Sequence, residues 1–209
     1  MLFRSILAAG LLTSCHNNDE YTKYVNDPLL YCKTVKRLND VVLENNFAPM
    51  VASRNYVYAN IAAYECMAAG NPRYRTLAGQ IAHLPPLPSP PANQEIDFRL
   101  AALLAFTKVG NAVTFPEGSM MGYYDELKAG VDSAGMPNRI LQNSIRFSDA
   151  IVSAVLDWAK KDNYAQTRTA SRYTVLDSPG RWVPTPPMYA SAVEPHWREI
   201  RPLVIDSAS

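Results

Sequence analysis

Apolar residues recur every three to four positions along most of this chain, and this spacing limits its fold more than any other feature. The pattern is clearest from Pro137 to about Lys161. There, apolar and small residues fall on one face of a helix, and Asp149, Asp157 and Lys160 are available for solvent. The segment is therefore predicted to be an amphipathic helix packed on a core. Its apolar face comprises Leu141, Ile145, Ser148, Val152, Val155 and Ala159.

Four further segments show the same spacing and are separated by Pro or Gly. Asp27-Pro28 has the residue types of a helix start, with a capping side chain followed by Pro at the first helical position. We therefore expect an all-α protein, a helical bundle of about five helices over residues 27–162. The four additional helices are expected from Pro28 to about Asn46, from Pro49 to Gly70, from about Asn93 to Ala112 and from near Pro116 to Val131.

The first fifteen residues have the features of an export signal. Arg4 precedes an apolar run, Ile6 to Leu12, that is too short to span a bilayer. The run ends in Leu12-Thr13-Ser14-Cys15, which resembles the lipobox of bacterial lipoproteins. That resemblance implies a signal peptide at 1–14, lipid attachment at Cys15 and a polar tether at 15–26. The alternative is a secretory signal with an incidental Cys.

Lipidation would make the membrane a partner of this protein. It would be anchored through Cys15 in the cell envelope, at the outer membrane facing the periplasm or at the cell surface. Cys32 and Cys66 then remain, both within helical patterns. An exported location permits a disulfide between them, whereas a free Cys inside a helix usually fills a small apolar space. Both interpretations stay open.

Charge and motif searches exclude several functions. With 20 basic and 19 acidic residues the net charge is +1, and no basic stripe suggests a nucleic-acid partner. Dinucleotide, P-loop, zinc-protease, EF-hand and nucleophile-elbow motifs are absent from the sequence. We therefore name no catalytic, cofactor-binding or metal-binding residue. Among three histidines, His196 alone lies among aromatic and arginine residues, where a packed or capping role is expected.

Two segments lack the helical period. Residues 84–91 are rich in proline, and we expect a stiff surface loop. From Asn163 onward Pro, aromatic residues and Arg alternate, which predicts an irregular tail over 163–209. Its most distinctive runs are Arg172-Tyr173-Thr174, Pro179-Gly180-Arg181-Trp182-Val183-Pro184, Glu194-Pro195-His196-Trp197 and Ile200-Arg201-Pro202.

These runs resemble the stretch just before the catalytic domain in exported, Bacteroidetes-type proteins of the vanadium-dependent haloperoxidase family. That family belongs to the superfamily of type 2 phosphatidic acid phosphatases. The resemblance implies an all-α fold and a vanadate or phosphate site built from Lys, Arg, Ser, a Gly amide and two His. Such an oxyanion needs several converging charge-assisted donors.

The motifs that form this site are not found in the chain. Arg201-Pro202 matches the end of Lys-x6-Arg-Pro, but Glu194 occupies the lysine position. Pro-Ser-Gly-His does not occur, and Ser171-Arg172 is followed by Ser178 where Ser-Arg-x5-His requires His. No catalytic residue can be carried over. Vanadate is therefore expected in a full-length parent protein rather than in this chain.

We accordingly expect the amino-terminal helical portion of a haloperoxidase-like or phosphatase-like lipoprotein, inactive by itself. Residues 163–209 would be a loosely held, extended linker toward a missing catalytic domain or a complementary chain. One alternative is a stand-alone helical lipoprotein that binds a partner or a small molecule. Another is a nutrient-binding lipoprotein of the type that serves outer-membrane transporters.

Overall fold

A computed structural model describes residues 19–205 of the chain, and this part is all-α, as expected. It contains no β-strand, and the five predicted helices are present as α2 to α6. The elements are α1 (Asp19–Asn26), α2 (Pro28–Glu44), α3 (Pro49–Ala69), α4 (Phe98–Val113), α5 (Met121–Ser133), α6 (Asn138–Ala159), α7 (Tyr164–Thr167) and a 3-10 turn (Trp197–Glu199).

Two helices begin later than their patterns indicated. We expected α4 from about Asn93, but it starts at Phe98, where the Asp97 carboxylate accepts the first free backbone N–H groups. We expected α5 from near Pro116, but it starts at Met121. Gly118 has φ of +85°, a left-handed conformation that ends any helical run before it.

The core is built around α4, which packs on α3, α6, α5 and α2. α3 and α4 approach closely because both carry alanines at their contact, including Ala59, Ala62, Ala101 and Ala105, all fully buried. Phe106 is buried in the same cluster. The apolar face predicted for α6 is confirmed: Ile145 is half-buried, and the other five residues of that face are buried.

The segment expected to be a polar tether is partly helical. Residues 19–26 form α1, which packs on α5 and buries Val25. Gly130 of α5 leaves room for the Tyr24 ring, since a Cβ there would lie 2.3 Å from the Tyr24 hydroxyl oxygen. Tyr21, Tyr24 and Val25 supply the apolar contacts of this otherwise polar segment. Cys15 and the rest of the lipobox lie outside the described residues.

The proline-rich segment is a surface loop fastened to the core. Leu84 is buried, Leu87 packs on the core, and the Trp158 indole N–H donates to the Ala82 carbonyl at 3.2 Å. Both described cysteines are free: Cys66 is buried and Cys32 is exposed. Burial raises the pKa of the Cys66 thiol, which keeps it protonated and suits an apolar filler. None of the helices within residues 19–205 is both long and apolar enough to cross a membrane.

Candidate functional site

The carboxylate of Asp162 joins the end of α6 to α3 and to the tail. Asp162 is 1% exposed. Its Oδ2 accepts hydrogen bonds from Arg54 Nε at 2.6 Å and from the Tyr58 hydroxyl at 2.7 Å, and its Oδ1 accepts from the Tyr164 backbone N–H at 2.9 Å. Burial, followed by the hydrogen bond to Asp162, raises the pKa of Tyr58, so the phenol remains a donor.

Arg201, near the end of the described residues, also contacts Asp162. Its backbone N–H donates to the Asp162 carbonyl at 2.9 Å. Its guanidinium carbon lies 4.3 Å from the centroid of the Trp158 ring, and both Nη atoms donate to the Trp158 carbonyl at 3.2 Å. Two residues later, the Leu203 carbonyl accepts from the Ala82 N–H at 2.8 Å. The tail therefore contacts the helices and the proline-rich loop again at Arg201 and Leu203.

These contacts also decide whether the Arg-Pro pair could help to hold an oxyanion. Both Nη atoms of Arg201 are hydrogen-bonded within the protein, and only its buried Nε lacks a partner. Glu194, at the position of the family lysine, forms an ion pair with Arg168. Three of the five guanidinium N–H groups of Arg201 thus bond within the protein, and Glu194 brings an acceptor where the family has a donor. The pair of Glu194 and Arg201 therefore does not supply the converging donors that vanadate requires.

Metal ligands are likewise not grouped in this part of the chain. Between residues 19 and 205, no three His, Cys, Asp or Glu side chains lie together in a way that could hold a metal ion. The residue that the sequence did not reveal is Asp162. Its partner Arg54 is 108 positions away, and no local pattern connects the two.

The tail forms a long loop with a closed base. We call residues 172–193 the arm. Its two ends are held together by the Arg168–Glu194 ion pair and by His196, whose Nε2 lies 2.7 Å from the Ser171 carbonyl oxygen. Within the arm, the Tyr173 and Trp182 rings meet edge to face, with 5.6 Å between their centroids. The tail thus has a definite shape and is not extended throughout.

The arm exposes many large apolar side chains. Soluble proteins seldom leave such side chains clustered, and aromatic residues, Met and Arg are enriched at protein interfaces. The arm also carries two exposed arginines, Arg172 and Arg181. Its composition is therefore that of a contact surface. The exposed apolar residues are Val175, Leu176, Trp182, Val183, Met188, Tyr189 and Val193.

A second surface feature is an apolar groove of 570 Å³ where the start of α2 meets α3 and α4. The Tyr31 hydroxyl at its edge donates to Asn60 Oδ1 at 2.7 Å, and Arg99 is exposed at its rim. The volume lies within the range of small-molecule pockets. Other lining residues include Leu30, Ala63, Tyr64, Met67, Tyr74 and Leu103.

No model of a protein family and no curated protein matches the chain. Among solved structures, the chain is similar to a bacterial vanadium-dependent iodoperoxidase, described as the first of its kind. The two share 38% sequence identity with a TM-score of 0.80.

The similarity covers 86% of this chain but only 43% of the iodoperoxidase. The chain therefore spans less than half the length of the solved structure that it matches. An identity of this size over most of the chain, together with the shared helical fold, supports the vanadium-dependent haloperoxidase family, and the described part of this chain is a haloperoxidase-like helical portion.

Proposed function

We propose that this chain is the amino-terminal helical portion of an exported haloperoxidase-like protein and has no catalytic activity without the remaining portion. The observation that carries the proposal is the similarity of most of the chain to less than half of an iodoperoxidase. This likeness favours peroxide-dependent halide oxidation over phosphate ester hydrolysis for the complete protein. The residues that hold vanadate would then lie outside this chain.

The arm is the surface that we propose to contact the remaining portion. Its exposed side chains include Met188 at 83%, Tyr189 at 63% and Trp182 at 47% exposure. Side chains of these types contribute strongly to binding when they become buried at an interface. The helical body, with its continuous core, would position the arm.

The first experiment is to read the DNA that follows the coding sequence. We expect a reading frame, continuous, frameshifted or separate, that encodes Pro-Ser-Gly-His. The product of that frame should co-purify with a tagged version of this chain. Trp182→Ala combined with Met188→Ala should lower the recovery by about tenfold or more, because each truncated hot-spot side chain costs on the order of 1–2 kcal/mol.

The matched control is Leu43→Ala, which truncates another exposed apolar residue, 67% exposed on α2. It should leave the recovery unchanged. If no such reading frame exists nearby, or if the control variant weakens co-purification as much as the arm variant, the proposed assembly is wrong.

The proposal also includes anchoring of the protein to the cell envelope through Cys15. Each buried acyl methylene contributes about 0.8 kcal/mol, so several chains would hold the protein firmly on a membrane. Cells fed an alkyne fatty acid should label the wild-type protein and a Cys32→Ser control. A Cys15→Ser variant should remain unlabelled and leave the membrane fraction. Labelling that survives Cys15→Ser would contradict the anchor.

The apolar groove favours a second candidate, a stand-alone lipoprotein that binds a small apolar molecule. Blocking the groove with Asn60→Trp, at an exposed position of its α3 wall, should then abolish binding of an environment-sensitive dye such as anilinonaphthalene sulfonate. Ala129→Trp, at an exposed position of α5, is the control. Equal dye binding by wild type and both variants would exclude the groove as a binding site.

A further inference from the structure

His196 lies between two hydrogen-bond acceptors at the base of the arm. Its Nε2 is 2.7 Å from the Ser171 carbonyl oxygen, and its Nδ1 is 2.8 Å from Glu199 Oε1. Ser171 directly precedes the arm, whereas His196 and Glu199 follow it. One imidazole ring therefore spans the point where the two ends of the arm meet.

The number of protons on the ring matters because neither partner can donate. A backbone carbonyl and an ionised carboxylate only accept hydrogen bonds. A neutral imidazole has one N–H and can serve one of them, leaving a nitrogen lone pair against the other oxygen. Only the protonated, cationic ring donates to both. The geometry is thus that of an imidazolium.

The surrounding charges agree with a cation. The hydrogen bond to Glu199, followed by that to Ser171, raises the pKa of His196, and partial burial and nearby Arg198 oppose the rise. Arg172 and Tyr173 of the arm face the same depression, as do Arg168 and Glu194, which form their own ion pair. The carboxylate that pairs with His196 is therefore Glu199.

We infer that a proton on His196 tightens the base of the arm and that its loss loosens this base, where the Arg168–Glu194 ion pair remains. His196 would act as a pH-sensitive latch: when protonated it joins Ser171 to Glu199, and when neutral it releases one of them. The inference concerns this chain alone and does not depend on the proposed catalytic partner. It makes the shape of the arm, and any surface the arm presents, a function of pH.

The direction of the pH dependence follows from the raised pKa. A histidine with a higher pKa in the closed arm stabilises closure fully below the pKa of free histidine, about 6.5. That stabilisation is lost as pH rises through the higher pKa of the closed arm. Each unit of difference between the two pKa values changes the opening equilibrium about tenfold.

Nuclear magnetic resonance on the full chain tests the latch. The imidazole nitrogen signals should give a pKa for His196 above 6.5, and backbone amides of residues 172–193 should titrate with the same midpoint. Glu199→Gln provides the decisive comparison, because its amide can donate to Nδ1 while neutral His196 donates to Ser171. In that variant the arm amides at pH 9 should resemble those of wild type at pH 5.5.

Glu117→Gln, on the exposed loop before α5, is the matched control and should titrate like wild type. His83→Gln assists in assigning the signals. The latch would be overturned by a wild-type pKa for His196 at or below 6.5. It would also be overturned if the chemical shifts of the arm amides did not change as His196 titrates. A Glu199→Gln arm that at pH 9 matches wild type at pH 9 would overturn it too.

Discussion

At Asp162, one buried carboxylate receives a guanidinium, a phenol and a backbone amide, and its own carbonyl receives the N–H of Arg201. Arg54 and Tyr58 come from neighbouring turns of α3, whereas the two backbone N–H groups belong to the tail. A buried ion pair contributes little net stability compared with a well-packed apolar substitute, but the loss of one member leaves the others without partners. Asp162 is therefore the residue at which the tail depends on the helical body.

Asp162→Ala should lower the free energy of unfolding by about 3 kcal/mol, because Arg54 and Tyr58 would remain buried without their acceptor. Urea denaturation followed by circular dichroism measures the change. Asp157→Ala is the control: Asp157 lies in the last turn of α6, five residues before Asp162, but its side chain is 64% exposed and its partner Lys160 is at 3.3 Å. That change should cost no more than about 0.5 kcal/mol. Equal effects of the two substitutions would contradict the assigned role.

Residue roles were only partly predictable from sequence. His196 was expected to pack or to cap a helix, whereas its side chain forms no cap hydrogen bond and instead lies between Ser171 and Glu199. Arg201 belongs to the Arg-Pro pair found in the sequence. The sequence could not show that its guanidinium donates to the Trp158 carbonyl, or that its backbone N–H donates to the Asp162 carbonyl. Contacts of this kind depend on the arrangement of distant helices, which residue spacing along one helix does not encode.

At the scale of helices, apolar spacing located α2, α3 and α6 within about two residues of their bounds. The starts of α4 and α5 were placed too early because Pro and acidic residues are common both in the first turn of a helix and in the loop before it. α1 was not predicted because it is short and mostly polar. Its apolar face consists of Tyr21, Tyr24 and Val25 alone, and its packing on α5 decides its conformation.

The contact between the end of α3 and the start of α4 can be tested at Gly70. A Cβ at this position would lie 2.3 Å from Phe98 Cγ and 2.8 Å from Phe98 Cβ. Because Phe98 Cβ is close to the backbone, the side chain cannot rotate away, and α4 would have to shift. Gly70→Ala should destabilise the protein by about 1–3 kcal/mol, measured by thermal unfolding.

Gly122→Ala is the matched control for that substitution. Nothing lies within 4 Å of a Cβ built on Gly122, which is exposed in the first turn of α5. Alanine favours a helix over glycine by up to about 1 kcal/mol, so this variant should be as stable as wild type or slightly more stable. A Gly70→Ala protein that melts at or above the wild-type temperature would show that α3 and α4 are less tightly packed than described.

For the whole molecule, the structure joins a complete helical core to an arm with an exposed apolar surface. Sequence predicted the helical core from periodicity, and it predicted the family from the runs around Trp182 and Trp197. It did not predict the closed base of the arm, since Arg168, Ser171, Glu194 and His196 meet only after the tail folds back. The chain matches 43% of an iodoperoxidase, which supports our proposal that the vanadate site belongs to the remaining portion.

The most direct test of this account is iodide oxidation by the purified chain with orthovanadate and hydrogen peroxide. The iodoperoxidase that it resembles serves as the positive control under the same conditions. We predict a rate equal to that of a protein-free blank, because Glu194 and Arg201 do not supply converging donors for vanadate. A vanadate-dependent rate that is well above the blank, saturates with peroxide and survives repurification would contradict the account.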